Sequence, residues 1–288
     1  MRVQYAESPD TKPLILPAKR PSMNLFNPPV EIPRTALVTG GARRIGRELC
    51  LALARARFDV AVHYGQSADE ATALVGELRA LGVQAVALQA DLSDATAVAN
   101  LLERAASALG SVGVLVNNAS VFAYDALTQT EPLALACFEQ HFRANTFAPL
   151  SLMQQLAQQL TNEQHGVVIN ILDQKLHNPN PDFLSYTLSK AALEHATTLA
   201  ALSLAPRVRV VGIAPGLSLP SGDQSTADFA AAHNATILQR GSTPQDVASA
   251  MLYAIAARSI TGTTLLIDGG QHLTAAARDV MFTHRAPD

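Results

Sequence analysis

The amino-acid sequence predicts an α/β fold: a single doubly wound Rossmann domain with a seven-stranded parallel sheet. Three observations support this class. Seven short runs rich in β-branched residues are spaced along the chain from residue 34 onward. The hydrophobic residues of these runs are continuous rather than alternating, as expected for strands buried on both faces of a parallel sheet. Segments with helical periodicity lie between the runs, so strands and helices alternate.

The predicted strands follow one another along the chain, and helical patterns separate them. The strands cover 35–39, 60–64, 84–90, 112–117, 166–172, 208–214 and 263–268. After the second strand, apolar positions recur at helical spacing and share one face, at Ala71, Leu74, Val75 and Leu78. Ligands of such sheets bind at the carboxyl ends of the strands, so functional side chains are expected there.

Length and composition favour one domain and exclude several classes of function. The chain has 288 residues and a formal net charge of -3, without a run of lysine and arginine that would bind nucleic acid. No segment approaches the ~18 uninterrupted apolar residues of a membrane span. The proline-rich start lacks the apolar core of a signal peptide. We therefore expect a cytoplasmic protein with an extended leader at 1–33, a Rossmann-type domain at 34–276 and a C-terminal tail at 277–288.

The two cysteines, Cys50 and Cys137, lie far apart in the sequence, each within an apolar helical segment. A disulfide needs an oxidising compartment, and free cysteine is among the most buried residue types. We therefore predict two buried thiols in a reducing compartment. No metal site is predicted.

The segment after the first predicted strand has the features of a dinucleotide-binding turn. It reads VTGGARRIGRELCLALA, from Val38 to Ala54, and leads from a strand through glycines into a helix. This arrangement brings free backbone N–H groups and a helix N-terminus to one point, where they bind a pyrophosphate. The predicted cofactor contacts of the turn are Gly40, Arg43, Arg44, Ile45 and Gly46.

Two features of this region favour NADP(H) over NAD(H). Arg43 and Arg44 are adjacent, and a guanidinium can bind a ribose 2′-phosphate through two hydrogen bonds; the alternative is a solvated charged loop. The second strand ends in HYGQSADEA, with no acidic residue at the position that would hold a free 2′-hydroxyl. Further contacts are predicted for His63, Tyr64, Gln66 and Ser67, with His63 and Ser67 as donors.

An ordered set of motifs resembles the short-chain dehydrogenase/reductase family over about 35–273. The motifs are TGGARRIG, ADLSD, VNNAS, Asn145, YTLSK and APGLS. The resemblance implies that Asp91 and Leu92 border the adenine and that the segment Pro215–Gly216 passes over the nicotinamide. Other cofactor contacts that it implies are Asn118, Ala119, Ser120 and Ser218.

The same resemblance implies a catalytic group of Tyr186, Lys190 and Asn145. Tyr186 would be the proton donor, Lys190 would hold the nicotinamide ribose and lower the pKa of the tyrosine, and Asn145 would organise a water near the lysine. The chemistry agrees, because a phenol with a pKa of about 10 is a poor acid at neutral pH unless a cation favours its ionised form. Residues four apart on a helix also share one face.

Two departures from the usual family pattern resemble the pteridine reductases and dihydromonapterin reductases. Asp173 stands thirteen residues before Tyr186, where the family pattern has a serine, and Arg44 replaces the central glycine of the first turn. In NNASVF, Ser120 and Phe122 match positions that contact and stack on the pterin in that subgroup. One difference is that the subgroup carries basic residues in the HYGQ segment, where this chain has glycine and glutamine.

These residues predict hydride transfer from NADPH to a C=N bond of a dihydropterin, such as dihydromonapterin, dihydrobiopterin or dihydrofolate. A carboxylate at Asp173 can accept from the amino and ring N–H groups of a pterin, or pass a proton beside Tyr186. Arg44 would offset its charge, and Phe122 would stack on the flat ring. The alternative for Asp173 is a loop carboxylate that points to solvent or pairs with Lys175.

Two other functions remain open from the sequence. One is an ordinary short-chain reductase of a ketone such as a 3-oxoacyl thioester; the other is a non-catalytic NADP(H)-binding sensor. Residues 217–240 are expected to form a substrate lid, and His177 and Phe183 either touch the substrate tail or pack the loop. The family resemblance implies a homotetramer assembled through the apolar helix that carries Tyr186 and Lys190.

Overall fold

The computed structural model of the protein describes residues 28–220 and 224–283. Its strands are β1 (Thr35–Val38), β2 (Asp59–Tyr64), β3 (Ala85–Gln89), β4 (Val112–Asn117), β5 (Gly166–Ile171), β6 (Val208–Pro215) and β7 (Thr263–Ile267). Within these residues the strands form one seven-stranded sheet in the order β3-β2-β1-β4-β5-β6-β7. Every neighbouring pair is parallel, which confirms the predicted fold class.

Helices cover both faces of the sheet. They are α1 (Arg44–Arg55), α2 (Ala68–Ala80), α3 (Ala95–Ala99), α4 (Leu101–Leu109), α5 (Leu135–Phe142), α6 (Ala148–Gln159), α7 (Leu184–Leu204), α8 (Thr226–Asn234), α9 (Pro244–Ala256) and α10 (Val280–Thr283). A π-helical turn (Arg143–Phe147) joins α5 to α6, and 3-10 turns lie at Gln174–His177 and Gln271–Leu273. In the described part of the chain no helix combines the length and apolarity needed to cross a membrane.

Two buried clusters make up the core, one on each face of the sheet. One cluster joins the sheet to α1, α2 and α9, and the other joins it to α4, α6 and α7. The predicted apolar face of α2 is confirmed, since Ala71, Leu74, Val75 and Leu78 are its buried residues. α9 begins with a capping box, in which the Thr243 hydroxyl and the Asp246 carboxylate each accept a backbone N–H from the other residue.

Both ends of the described chain pack on the domain, beyond the boundaries at 33 and 276 that the sequence suggested. Ile32 is buried in the core. Pro33 packs against Gly113, where an added Cβ would lie 2.2 Å from the Pro33 carbonyl oxygen. At the other end, Asp279 forms an ion pair with Lys175 inside the domain. The rest of the predicted leader and tail, at 1–27 and 284–288, lies outside the described residues.

Both cysteines are free thiols. Cys50 on α1 is buried as predicted. The prediction for Cys137 is wrong, because this residue on α5 is only half-buried.

Candidate active site

A continuous cleft runs along the carboxyl ends of the central strands. It consists of three cavities of about 670, 570 and 390 Å³, and Ser120 lines all three. The first two lie beside the turn after β1, and the third contains Asp173, Tyr186 and Lys190. The cleft therefore brings the predicted cofactor and substrate residues together.

The glycine turn after β1 has the close approaches that a phosphate cradle requires. Gly40 has a φ of +59°, and a Cβ there would lie 2.9 Å from the Cα of Ala119. A Cβ at Gly46 would lie 2.1 Å from the Gly40 carbonyl oxygen. α1 begins at Arg44, and the residue before it, Arg43, provides no side-chain cap, so the first N–H groups of the helix lack that acceptor. The Asn118 side chain donates to the carbonyls of Thr39 and Gly40 and holds the turn.

The His63 side chain is hydrogen-bonded to this turn. It is therefore not the free donor that the sequence predicted. Its Nδ1 accepts the backbone N–H of Gly40 at 3.0 Å, so its Nε2 carries the proton and donates to the Ala90 carbonyl at 3.1 Å. Burial lowers the pKa of His63 to about 4, which keeps the ring neutral. With both ring nitrogens engaged, His63 has no hydrogen to offer a 2′-phosphate.

The predicted 2′-phosphate region lies at the end of β2. Tyr64, Gln66 and Ser67 line the same cavity as Arg43. The Arg43 guanidinium lies 3.5 Å from the Glu70 carboxylate, in an exposed pair. Exposed ion pairs contribute little to stability, so Arg43 can exchange Glu70 for a phosphate. The sequence reasoning overlooked Glu70, although it lies in the first turn of α2.

The remaining predicted cofactor residues line the cleft at different depths. Asp91 and Leu92 lie in the 670 Å³ cavity, with the Asp91 carboxylate accepting the Ser93 N–H at 2.8 Å. Pro215, the last residue of β6, and Gly216, which follows it, line the 390 Å³ cavity. The Ser218 hydroxyl is buried and donates to the Gly216 carbonyl, while it also contacts the Ser242 hydroxyl at 2.7 Å.

Asp173, Tyr186 and Lys190 form one group, in which Tyr186 and Lys190 are buried and Asp173 is half-buried. Asp173 follows β5, whereas Tyr186 and Lys190 lie on one face of α7. The Tyr186 hydroxyl donates to Asp173 Oδ2 at 2.7 Å. Lys190 Nζ donates to the Ile171 carbonyl at 2.7 Å. Both Asp173 oxygens are therefore hydrogen-bonded within the protein, Oδ2 to Tyr186 and Oδ1 to the backbone N–H of Lys175 at 2.9 Å, and the carboxylate does not pair with the Lys175 ammonium.

The electrostatics of this group differ from the expectation that Lys190 lowers the pKa of Tyr186. Burial first, and then the Asp173 carboxylate, raise the pKa of Tyr186 well above its ordinary value. Burial also raises the pKa of Asp173 and lowers that of Lys190 to about 8. The arrangement thus opposes ionisation of Tyr186 and of Asp173 rather than favouring a phenolate.

Asn145 lies fully buried in the π-helical turn and connects two parts of the site. Its Oδ1 accepts the Val121 N–H at 2.8 Å, and its Nδ2 donates to the Val121 carbonyl and to the Ser189 hydroxyl, both at 3.0 Å. The side chain therefore fixes the loop after β4 against α7. A role in placing water near Lys190 stays a prediction.

Phe122 lies at the mouth of the substrate cavity. Its ring stacks on Phe183 with a centroid distance of 4.1 Å and meets the Tyr186 ring edge-on at 4.7 Å. Phe183 is buried, so it packs the loop and supports Phe122 rather than touching a substrate tail. His177 is held at 3.0 Å by Glu194.

Arg44 connects the first turn to the predicted lid. It has a φ of 54°, in the left-handed region that favours glycine, and its Nη2 donates to the Pro220 carbonyl at 2.9 Å. Leu217, Ser218 and Leu219 line the cavity beside it, while residues 221–223 of the predicted lid lie outside the described residues.

The sequence reasoning missed one wall of the substrate cavity. Lys175, Asp279, Val280 and Met281 line it together with Asp173. The Lys175 ammonium and the Asp279 carboxylate are 2.9 Å apart, although 104 positions separate them in the chain. No local pattern signals such a contact; only the proximity of Lys175 to Asp173 pointed to this region.

A family model described as short chain dehydrogenase matches residues 34–228. The chain belongs to this family. The match confirms the family that the sequence motifs resemble, and the protein is an oxidoreductase of the short-chain dehydrogenase type. Four of its motifs, TGGARRIG, ADLSD, VNNAS and APGLS, lie at the ends of β1, β3, β4 and β6, whereas Asn145 lies in the π-helical turn and YTLSK in α7.

Solved and curated short-chain dehydrogenases differ in their named substrates. The structure of FolM alternative dihydrofolate reductase 1 from Brucella canis, complexed with NADP, is 40% identical with a TM-score of 0.80, and the match covers 85% of this chain and 96% of that one. Pteridine reductase 1 of Leishmania tarentolae is 32% identical over 281 residues, covering 84% of this chain and 97% of its own. The 3-oxoacyl-[acyl-carrier-protein] reductase FabG of Staphylococcus epidermidis is 31% identical over 245 residues, covering 83% and 99%. Curated relatives of both kinds are similar to this chain to nearly the same degree, so the site residues must separate their substrates.

Proposed function

We propose that this short-chain dehydrogenase uses NADPH to reduce the C=N bond of a dihydropterin to the tetrahydro form. The observation that carries the proposal is the 2.7 Å hydrogen bond between Tyr186 and Asp173, at the position where the family pattern has a serine. A half-buried carboxyl group beside the phenol can hold a proton for a ring nitrogen. The likeness to proteins named FolM alternative dihydrofolate reductase 1 and pteridine reductase 1 supports the same substrate class.

NADP(H) is the cofactor that fits the cleft. The cradle formed by Gly40 and Gly46, which a Cβ would fill, suits a pyrophosphate at the N-terminus of α1. Arg43 and Ser67 would hold the 2′-phosphate, and Lys190 the nicotinamide ribose. The Brucella canis FolM structure is complexed with NADP, which agrees. When bound, NADPH supplies the hydride that is added to the carbon of the C=N bond.

The chain's own residues supply the proton that the nitrogen of this bond takes up. The Tyr186 hydroxyl donates it, and Asp173, which accepts the hydrogen bond of this hydroxyl and whose pKa is raised by burial, can pass on the proton that replaces it. The charged Lys190 ammonium, 6.0 Å from the centre of the Tyr186 ring, favours the transient negative charge on the phenol oxygen. One hydride and one proton thus complete the reduction.

Recognition of the flat heterocycle falls to the mouth of the cavity. Phe122 is half-exposed and backed by Phe183, so its open face can stack on a pterin. Ser120 and Arg44 lie within reach of the same cavity and offer donors to the ring oxygen and nitrogens. Dihydromonapterin, dihydrobiopterin and dihydrofolate all present this ring.

NADPH oxidation by the purified protein tests the proposal, with these three dihydropterins and an acetoacetyl thioester as parallel substrates. We expect turnover of the pterins. Turnover of the thioester alone would assign the protein to ketone reduction, and no turnover at all, with NADPH bound, would favour a cofactor-binding sensor. Asp173→Ser restores the family pattern, and full pterin activity in this variant would refute the role of Asp173.

Self-association through α7 is part of the proposal. Leu188, Leu199 and Leu202 on this helix are substantially exposed, so a second copy can cover them. The homotetramer and the cytoplasmic location are expectations from the family resemblance, and light scattering of the purified protein measures the first.

A further inference from the structure

Residues 278–282, here called the C-terminal strap, form the outer wall of the substrate cavity. Asp279, Val280 and Met281 line the same 390 Å³ cavity as Asp173 and Tyr186. The sequence motifs of the site end before this segment, so nothing in them assigns it a function. Its position beside the proton-donating pair suggests a part in the reaction.

The strap is attached to the domain at three points. The Arg278 guanidinium donates to both oxygens of Asp182, from Nε at 2.8 Å and from Nη2 at 2.8 Å. The Asp279 backbone N–H also donates to Asp182, at 2.7 Å. The Phe282 ring stacks on Phe183 at 5.9 Å. Asp182 is only 2% exposed, and a charged pair with a buried partner fixes its geometry more firmly than a surface pair.

Lys175 connects the strap to the proton donors. Its ammonium donates to Asp279 at 2.9 Å and also to the side-chain oxygen of Asn180, and both charged side chains of the pair are largely buried. The backbone N–H of Lys175 donates to Asp173 at 2.9 Å. One residue therefore contacts both carboxyl groups. The second oxygen of Asp279 accepts the Met281 N–H at 3.1 Å, which fixes the carboxylate in the cavity wall.

We infer that Asp279 is a positioning residue for the reaction: through Lys175 it fixes Asp173, and its negative charge keeps the proton on the Asp173–Tyr186 pair. This inference rests on the proposed role of these two residues as proton donors. Asp279 does not have to touch the substrate for this effect. The strap then acts as a functional part of the active site.

Charge at short range in a buried site supports the inference. Burial has the largest effect in raising the pKa of Asp173 and Tyr186, and Asp279 raises both further. Lys190 on α7 acts on Asp173 in the opposite direction. The other charged groups that face this cavity are the Lys175 ammonium, which partly offsets Asp279, and Arg44 from the first turn. Removal of the Asp279 charge should therefore make Asp173 and Tyr186 lose their proton at lower pH.

The test compares the pH dependence of kcat in wild type, Asp279→Asn and Asp279→Glu. In Asp279→Asn we expect the alkaline fall of kcat to begin at lower pH. On that limb the kcat of the variant should be about threefold or more below that of wild type. At acidic pH the two kcat values should agree within about twofold. Asp279→Glu keeps the charge and should keep the wild-type profile. KM should change little in either variant, since Asp279 acts through Asp173.

A loss of kcat by the same factor at every pH, or a change in KM alone, would show that Asp279 is merely structural and overturn the inference. Arg278→Gln provides a second variant should Asp279→Asn fail to fold, because it loosens the strap from outside the cavity. It should shift the alkaline limb in the same direction by a smaller amount, and an unchanged limb there would also refute the inference.

The profile is recorded with whichever substrate the wild type reduces, dihydrobiopterin or the acetoacetyl thioester, since either needs a proton from the Tyr186 pair. If only the thioester turned over, the proposed substrate would be wrong and the role of Asp279 would still be tested. The two failures therefore give different results.

Discussion

The two halves of the cleft are built in different ways. The cofactor half, around the turn after β1, depends on backbone geometry: glycines without room for a Cβ, and a histidine that accepts the Gly40 N–H from 23 positions away. The substrate half depends on side-chain charge, and its contacts span long stretches of chain. Arg278 and Asp182 are 96 positions apart, and Lys175 and Asp279 are 104.

This difference follows from what each half has to bind. A pyrophosphate accepts hydrogen bonds from any backbone N–H, so one strand, one turn and one helix suffice. A substrate that takes up a proton needs a buried acid, and a buried acid needs several neighbours to set its pKa. The cofactor half should therefore be sensitive to added volume, and the substrate half to lost charge or hydroxyl groups.

Tyr186→Phe should give the largest effect and confine it to the substrate half. The variant keeps the ring against Phe122 but removes the proton donor, so kcat should fall by about 10²–10⁴-fold. Stopped-flow and steady-state assays measure kcat, and NADPH titration should give an unchanged Kd. Weakened NADPH binding of similar size would mean that the halves are not separable in this way.

His63, in the cofactor half, should also make the unfolding free energy of the protein depend on pH in the acid range. Its pKa is lowered from 6.5 to about 4 in the folded protein, so the unfolded chain takes up a proton at a pH where the folded protein does not. Stability is then lost as pH falls from 6.5 towards 4, by about 3 kcal/mol in total.

His63→Gln keeps a donor and an acceptor but does not titrate, so its stability should depend less on pH across this range. Urea unfolding at several pH values measures the difference. Parallel losses in the two proteins would show that other groups cause the acid sensitivity.

Gly46→Ala should damage the cofactor half alone. Its Cβ would lie 2.1 Å from the Gly40 carbonyl oxygen, so the turn must shift, and NADPH affinity should fall roughly 100-fold. Gly76→Ala on α2 is the matched control: its Cβ would meet no atom within 4 Å, so binding should be unchanged and the helix stabilised by about 0.5–1 kcal/mol. Equal changes in NADPH affinity in the two variants would contradict the role of Gly46 in binding the pyrophosphate.

Arg43→Gln should give the smallest effect, because the 2′-phosphate site lies at the exposed rim. NADPH affinity should fall about tenfold, while NADH affinity should stay the same. Glu70→Gln frees Arg43 from its 3.5 Å partner and should strengthen NADPH binding slightly. Fluorescence titration with both cofactors measures these values, and an equal loss for NADH would place Arg43 elsewhere on the cofactor.

The sequence allowed the cofactor half to be predicted better than the substrate half, and the reason is physical. Strand patterns and the glycine turn are local, so β1 to β7 and the turn after β1 follow from short segments. Even there the prediction that His63 is a free donor was wrong, because tertiary hydrogen bonds engage both of its ring nitrogens. The pairing of Asp173 with Tyr186 agreed with a recognised spacing.

The strap could not be predicted, because no period or motif links residue 279 to residue 175. The raised pKa of Tyr186 likewise depends on burial and on Asp173, neither of which the motif YTLSK encodes. Charge pairs between residues far apart in the chain depend on tertiary packing, so no short segment of sequence predicts them.

The burial of Lys175 and Lys190 has a practical consequence for chemical labelling. The chain contains four lysines, at Lys12, Lys19, Lys175 and Lys190, and the last two are at most 3% exposed. Amine-reactive dyes should therefore leave both lysines of the cleft unmodified while the domain is folded.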